Sequence, residues 1–271
     1  MSALIQGFHE AMDSDDYHAK RIGVVSKSAL DAMHPTPAHY LAWIDGSSEK
    51  SSDAMSFGKA GHCAIFEPDR FLERYVASPD FGDCRFKENK QARDAWRADH
   101  ADFEHLSVDE FSTLRGIQSS IYKHELVRKL FAEGESEISL VWSDADTGLT
   151  CKSRADHYVE RLATAVDLKL VEDASPSGFS KSVARYRYHV QDALYRRGFA
   201  ALGKPLKHFV FVAIEKRAPY ASAIYALDSE ALERGESAVT SDIATMAQCV
   251  KTNSWPGYPA GIQTLSLPRW A

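Results

Sequence analysis

A chain of 271 residues, 44% hydrophobic and 26% charged, is long enough to bury a full core and too balanced to be disordered or fibrous. Its longest apolar run falls far short of a membrane span, and Met1 to Lys20 carries acids and histidines where a secretory leader needs an apolar stretch. The net charge of −6 argues against a uniformly basic nucleic-acid binder, although a local basic strip can still hold phosphate.

In chain order, Val25 to Ser28 leads into a short helix over Ala29 to Met33, with Ser26 or Ser28 as its cap. Pro37 opens a second helix through Trp43. Met55 to Phe66 is small and apolar at helical spacing, with Pro68 as its stop. Lys87 to His100 reads as a charged surface helix, and Val108 to Phe131 as one long helix or two short ones. The pattern changes after Gly134. Ile138 to Trp142, Leu149 to Val159 and Ala163 to Val171 read as a meander of three strands, with turn chemistry at Asp144 to Gly148. A helix is expected over Lys181 to Leu202, then strands at Phe209 to Ile214 and Tyr220 to Leu227. Ser229 to Val250 reads as a last long helix, and the tail from Asn253 as irregular. The four cysteines, Cys63, Cys84, Cys151 and Cys249, lie far apart with no C-x-x-C pair. That excludes a cysteine-built zinc site and suits free thiols in a reducing cytoplasm.

The strand over 163–171 would be a plain interior strand but for Asp167 and Lys169, and charges there are costly unless paired or metal-bound. Residues two apart share a face, so Asp167 and Lys169 point one way and Leu168 the other, into the core. A hairpin would bring Asp156 beside them. Clustered carboxylates make a hard oxygen site of the kind magnesium or manganese prefers, and a neighbouring lysine can touch water or phosphate. An edge-strand ion pair is the plainer reading of the same residues. Downstream, Gln191 and Tyr195 fall on one helix face, and Lys181, Arg185, Arg187, Arg196 and Arg197 form a basic strip suited to phosphate, or else a solvated helix face. Glu137 precedes the first strand and either adds a carboxylate or is solvated.

Arg154-Ala155-Asp156, then Asp167-Leu168-Lys169, then Gln191-x-x-x-Tyr195, resembles the PD-(D/E)xK nuclease superfamily in its RecB-like branch. Phe57-Gly58-Lys59-Ala60-Gly61-His62 with Phe66-Glu67-Pro68 looks like the G-x-x-x-H segment of that branch. Ser26 to Leu30 with Pro37 to Tyr40 is similar to the opening of RecE-type exonucleases (exonuclease VIII). The likeness spans about residues 20 to 225.

The resemblance implies an α/β fold: a restriction-endonuclease-like core with a central mixed sheet flanked by helices. One nuclease domain would span 1–271, with a mainly helical portion over 1–133, the catalytic core over 134–252 and an irregular tail over 253–271. It also implies a Mg2+ cofactor, with Mn2+ as substitute, held by His62, Asp156, Asp167 and the Leu168 carbonyl. Lys169 would position or activate the water, and Gln191 and Tyr195 would bind near the scissile phosphate. The implied activity is 5′-to-3′ digestion of linear double-stranded DNA from its ends in phage-type recombination. The implied partners are further copies in a homo-oligomeric ring and a single-strand annealing protein of the RecT type, with no membrane, in the cytoplasm of a bacterium or phage-infected host. Arg21 or Lys27 is a candidate for the 5′-phosphate pocket. A structure-specific or repair endonuclease with the same site, and an inactive DNA-binding module, are the rival readings. Asp167 stands where many members have glutamate, so the metal would sit closer to the strand.

Overall fold

The computed structural model describes residues 4–47 and 53–267. A strand, β1 (Gly7–His9), and a short helix, α1 (Ser14–His18), precede α2 (Lys27–Met33) and α3 (Pro37–Ile44). Ser26 is the cap of α2, its hydroxyl accepting from the Ala29 N–H, and Pro37 opens α3. α4 (Asp53–Phe66) follows. Pro68 does not simply stop the chain as expected: it starts a further helix, α5 (Pro68–Arg74), at the position where proline's missing N–H costs nothing. β2 (Tyr75–Ser78) and β3 (Glu104–Ser107) pair in parallel across α6 (Lys87–Asp99). Of the two readings for residues 108–131, two helices are formed, α7 (Val108–Lys123) and α8 (Glu125–Phe131), and α7 starts with a Ser107–Glu110 capping box.

The expected meander is present as β4 (Glu135–Ser143), β5 (Thr150–Val159) and β6 (Thr164–Val171). Then come α9 (Pro176–Arg185), α10 (Tyr188–Ala201), β7 (His208–Glu215), β8 (Ser222–Tyr225) and α11 (Ser229–Thr252). The sheet runs β1-β4-β5-β6-β7-β8. Only β6 and β7 pair in parallel, so the sheet is mixed. Two differences from the sequence reading matter. β1, in the portion read as helical, forms the edge of the main sheet against β4. The helix expected over 181–202 is two helices, divided at Tyr186 and Arg187, where Arg187 takes a left-handed backbone (φ 53).

Both faces of the sheet are covered, and the alternation along its central strands records this. Ala165, Phe209, Phe211 and Ala213 join one core with α2, α10 and α11, while Val166, Leu168, Val212 and Ile214 join the other with α4, α7 and α8. Leu168 therefore points into a core as expected, and Asp167 points at α10. The segment 253–267 has no helix or strand, but Trp255 stacks on Tyr40 with ring centroids 5.0 Å apart and closes one end of the first core. Among the described residues no helix is long and apolar enough to cross a membrane.

α10 and α11 approach closely because α11 carries Gly235 at the crossing. A Cβ there would lie 2.2 Å from the His189 carbonyl oxygen, against backbone that cannot swing away. Gly235→Ala is expected to destabilise the fold by about 1–3 kcal/mol through overpacking. Urea denaturation should show a lower midpoint at unchanged slope.

Candidate active site

The site forms where β5 and β6 part. Their ladder runs from Val159–Thr164 to His157–Val166 and stops. The next pair in register would be Asp156 and Asp167. There the Leu168 N–H bonds the Asp156 carboxylate at 2.7 Å, so a side chain fills the gap that a strand carbonyl would occupy. On the other side of β5, Ser136 faces His157 and Ile138 faces Ala155, which sets Glu137 opposite Asp156. Glu137 has φ 57, a conformation rare outside glycine. The facing along β5 slips at the same level: Ala155 and Tyr158 pack in the first core, while His157 stacks on Phe66 of α4. Asp156 is thereby turned toward α4, where His62 Nδ1 lies 3.4 Å from its carboxylate. Ligand atoms of His62, Glu137 and Asp156 all fall within 4.8 Å of one another.

Asp167 stands beside this group on β6, 2% exposed, but is not among the ligand atoms that lie within 4.8 Å of one another. One of its oxygens accepts from the Gln191 amide on α10. The other is buried and ion-paired with Lys169 Nζ at 2.5 Å, with no further hydrogen-bond donor. The two clustered carboxylates and the imidazole, with the Asp167 carboxylate beside them, are a donor set that a divalent cation takes. Burial and then the Asp167 charge push the Asp156 carboxyl well above the usual carboxylate range. Burial and then Asp156 push Glu137 up to about 7. Burial and the Lys169 charge hold the His62 imidazole below its ordinary value, so it stands neutral as a ligand must. Burial works against the Lys169 ammonium, but Asp167 and Asp156 outweigh it and its pKa is raised.

A family model described as a PDDEXK-like domain of unknown function (DUF3799) matches residues 26–267, nearly the whole chain. The chain belongs to this family. No curated protein matches the sequence. Among solved structures, a protein of Eubacterium rectale provisionally described as an exonuclease is similar over 93% of this chain and 96% of its own, at 16% identity and a TM-score of 0.61. That likeness concerns the fold. A phage-related exonuclease of Haemophilus somnus 129PT aligns over 89% of this chain and 99% of its own, at 13% identity and a TM-score of 0.34.

In this PDDEXK-like domain the structure brings His62, Asp156, Asp167, Leu168, Lys169 and Gln191 together. Gln191 is committed to Asp167, and Tyr195, one turn along the same helix, is buried. Gln191 thus holds a carboxylate, and neither side chain is on open surface. The basic strip is a correction. Arg187 is buried and bonds the Leu30 carbonyl, Asp31 and Asp242; Arg196 pairs with Asp192 at 2.5 Å; Arg197 pairs with Glu236 at 2.5 Å. Arg187 and Arg197 tie α10 to its neighbours through acids distant in sequence, whereas Arg196 is held within α10 by Asp192, one turn away. Lys181 and Arg185, on α9, remain exposed. Lys27 pairs with Asp31, and Arg21 is half-buried.

Two residues of the site were hard to see in the sequence. Glu137 is only a third exposed and not a solvated strand end; its position across from Asp156 was the available signal. Arg154, in the Arg-Ala-Asp segment, bonds Ser139 and the Met12 carbonyl, lies 3.9 Å from Glu137 and packs over the Tyr17 ring of α1.

A folded-state carboxyl raised from 4.5 to about 7 contributes stability that is fully present below about pH 4.5 and lost as pH rises through 7. In chelator, the melting temperature should therefore fall from pH 5 to pH 8, and Glu137→Gln should shrink that fall. An equal fall in the variant would mean that Glu137 is not the titrating group. Manganese should restore the wild-type melting temperature at pH 8.

Proposed function

We propose that this protein is a divalent-metal-dependent deoxyribonuclease, acting as a 5′-to-3′ exonuclease on linear double-stranded DNA in phage-type recombination. One observation carries the reading: in a PDDEXK-like chain, ligand atoms of His62, Glu137 and Asp156 cluster at a strand split, with the buried Asp167–Lys169 ion pair beside them. The family match and the resemblance of the motif order to RecE-type exonucleases support it.

His62, Glu137, Asp156, Asp167 and the Leu168 carbonyl would hold the ion, Mg2+ with Mn2+ as substitute. The chemistry supplied by such an ion is Lewis acidity, which makes a water more acidic and offsets charge on phosphate. Lys169, held charged beside Asp167, donates to the attacking water or a phosphate oxygen and fixes it in line. Gln191 orients Asp167, and Tyr195 lies one turn further along α10. Among the cations of α9, Lys181 and Arg185 are free to meet the DNA backbone. A ring of further copies around the duplex, and a RecT-type annealing protein taking the exposed strand, complete this reading.

Lys169→Ala is expected to lower cleavage roughly 10²- to 10³-fold, with folding and metal binding retained. Wild-type digestion by that variant would remove the mechanism. Activity should stop in chelator and return with magnesium or manganese. Linear duplex should be digested and covalently closed circular duplex spared; cutting of the closed circle would favour an endonuclease with the same site.

A further inference from the structure

The division of the expected helix at Tyr186 and Arg187 has a product at the surface. Arg187 adopts its left-handed backbone with its guanidinium locked to α2 and α11 through the Leu30 carbonyl, Asp31 and Asp242. The residues on either side, Tyr186 and Tyr188, are thereby turned to the same side, and their rings stack with centroids 5.7 Å apart and planes 26° from parallel. Tyr188 stacks in turn on Phe211 of β7, at 5.6 Å and 25°. Three nearly parallel rings thus climb from the core to solvent. The middle ring lies 4.6 Å from Lys169 Nζ, and the outermost, Tyr186, is 50% exposed.

Cations surround the open end. Arg185 lies 5.5 Å from the Tyr186 ring centre and is exposed, and Lys27 donates to the Tyr186 carbonyl at 3.0 Å. Core packing does not call for an exposed aromatic held at the end of a stack by a strained, buried arginine. An exposed flat ring with Arg185 beside it, stacked on a ring whose centre is 4.6 Å from Lys169 Nζ, matches one ligand chemistry: a nucleobase with its phosphate.

We propose that Tyr186 is a stacking platform for an unpaired base of the strand being cut, so that the neighbouring phosphate falls at Lys169. The proposal rests on the nuclease reading above and adds that the site engages a single-stranded end, with one base drawn out of the duplex stack. Tyr186 is a positioning residue here: it touches the substrate away from the bond that breaks. Stacking needs the ring and not its hydroxyl, and it serves any base, so it gives register without sequence preference.

The test uses the full chain in chelator and a short duplex with a single-stranded end carrying 2-aminopurine, whose fluorescence is quenched on stacking. Wild type and Tyr186→Phe should quench it alike. Tyr186→Ala should lose the quench and weaken single-strand binding about fivefold or more, in line with the loss of one base–aromatic stack. With metal added, Tyr186→Ala should raise KM and slow cleavage of ends with an overhang more than Lys169→Ala changes binding. Circular dichroism checks folding of each variant. If Tyr186→Ala quenches and binds as wild type does while wild type cleaves DNA, the platform is overturned and the nuclease reading stands. If Tyr186→Phe loses as much as Tyr186→Ala, the contact is through the hydroxyl and stacking is overturned. If wild type neither binds nor cleaves DNA, both readings fall.

Discussion

At the level of Asp156 the Leu168 N–H leaves the strand ladder and bonds a carboxylate, and much of the structure answers to that exchange. A side chain there holds the strands apart, keeps Asp167 facing Asp156 and opens room toward α4. The cost is two buried acids in close company, with the Asp167 charge disfavouring that of Asp156. Lys169 against Asp167 and the Gln191 amide limit that cost, while Glu137 adds a third carboxyl to the cluster. Packing alone does not explain such a cluster, because apolar residues of similar size would satisfy the sheet with no unpaired charge.

The same constraint explains why the helices sit where they do. α4 must reach the split to bring in His62, and its small residues allow it: a Cβ on Gly61 would lie 2.4 Å from the Leu170 side chain. α10 must reach it from the other face to bring in Gln191, and Gly198 and Gly235 permit its approach to the sheet and to α11. The site is thus a junction between two cores, and side chains from both faces of the sheet meet only because the strands part.

Much of this was legible in the sequence, for a physical reason. A β-branched, apolar strand interrupted by Asp167 and Lys169 is anomalous by composition alone, and period two fixes which way those residues point. The three-strand meander and the long terminal helix follow from patterns carried within one segment. What stayed hidden depends on partners far along the chain. Arg187 and Arg197 look like part of a basic strip until Asp242 and Glu236 arrive beside them. β1 is three residues long and has too little sequence to show alternation. Glu137 takes its meaning from β5 across the sheet, and the break at Arg187 from α2 and α11.

The scatter of the site along the chain has a consequence for synthesis. His62 comes from the helical portion near the start, Glu137, Asp156 and Asp167 from the middle of the sheet, and Gln191 from a helix that needs α11 to pack against. No fragment that ends before Gln191 holds the full set, and none that lacks α11 has the surface on which α10 rests. A growing chain on the ribosome therefore lacks the assembled site for most of its elongation.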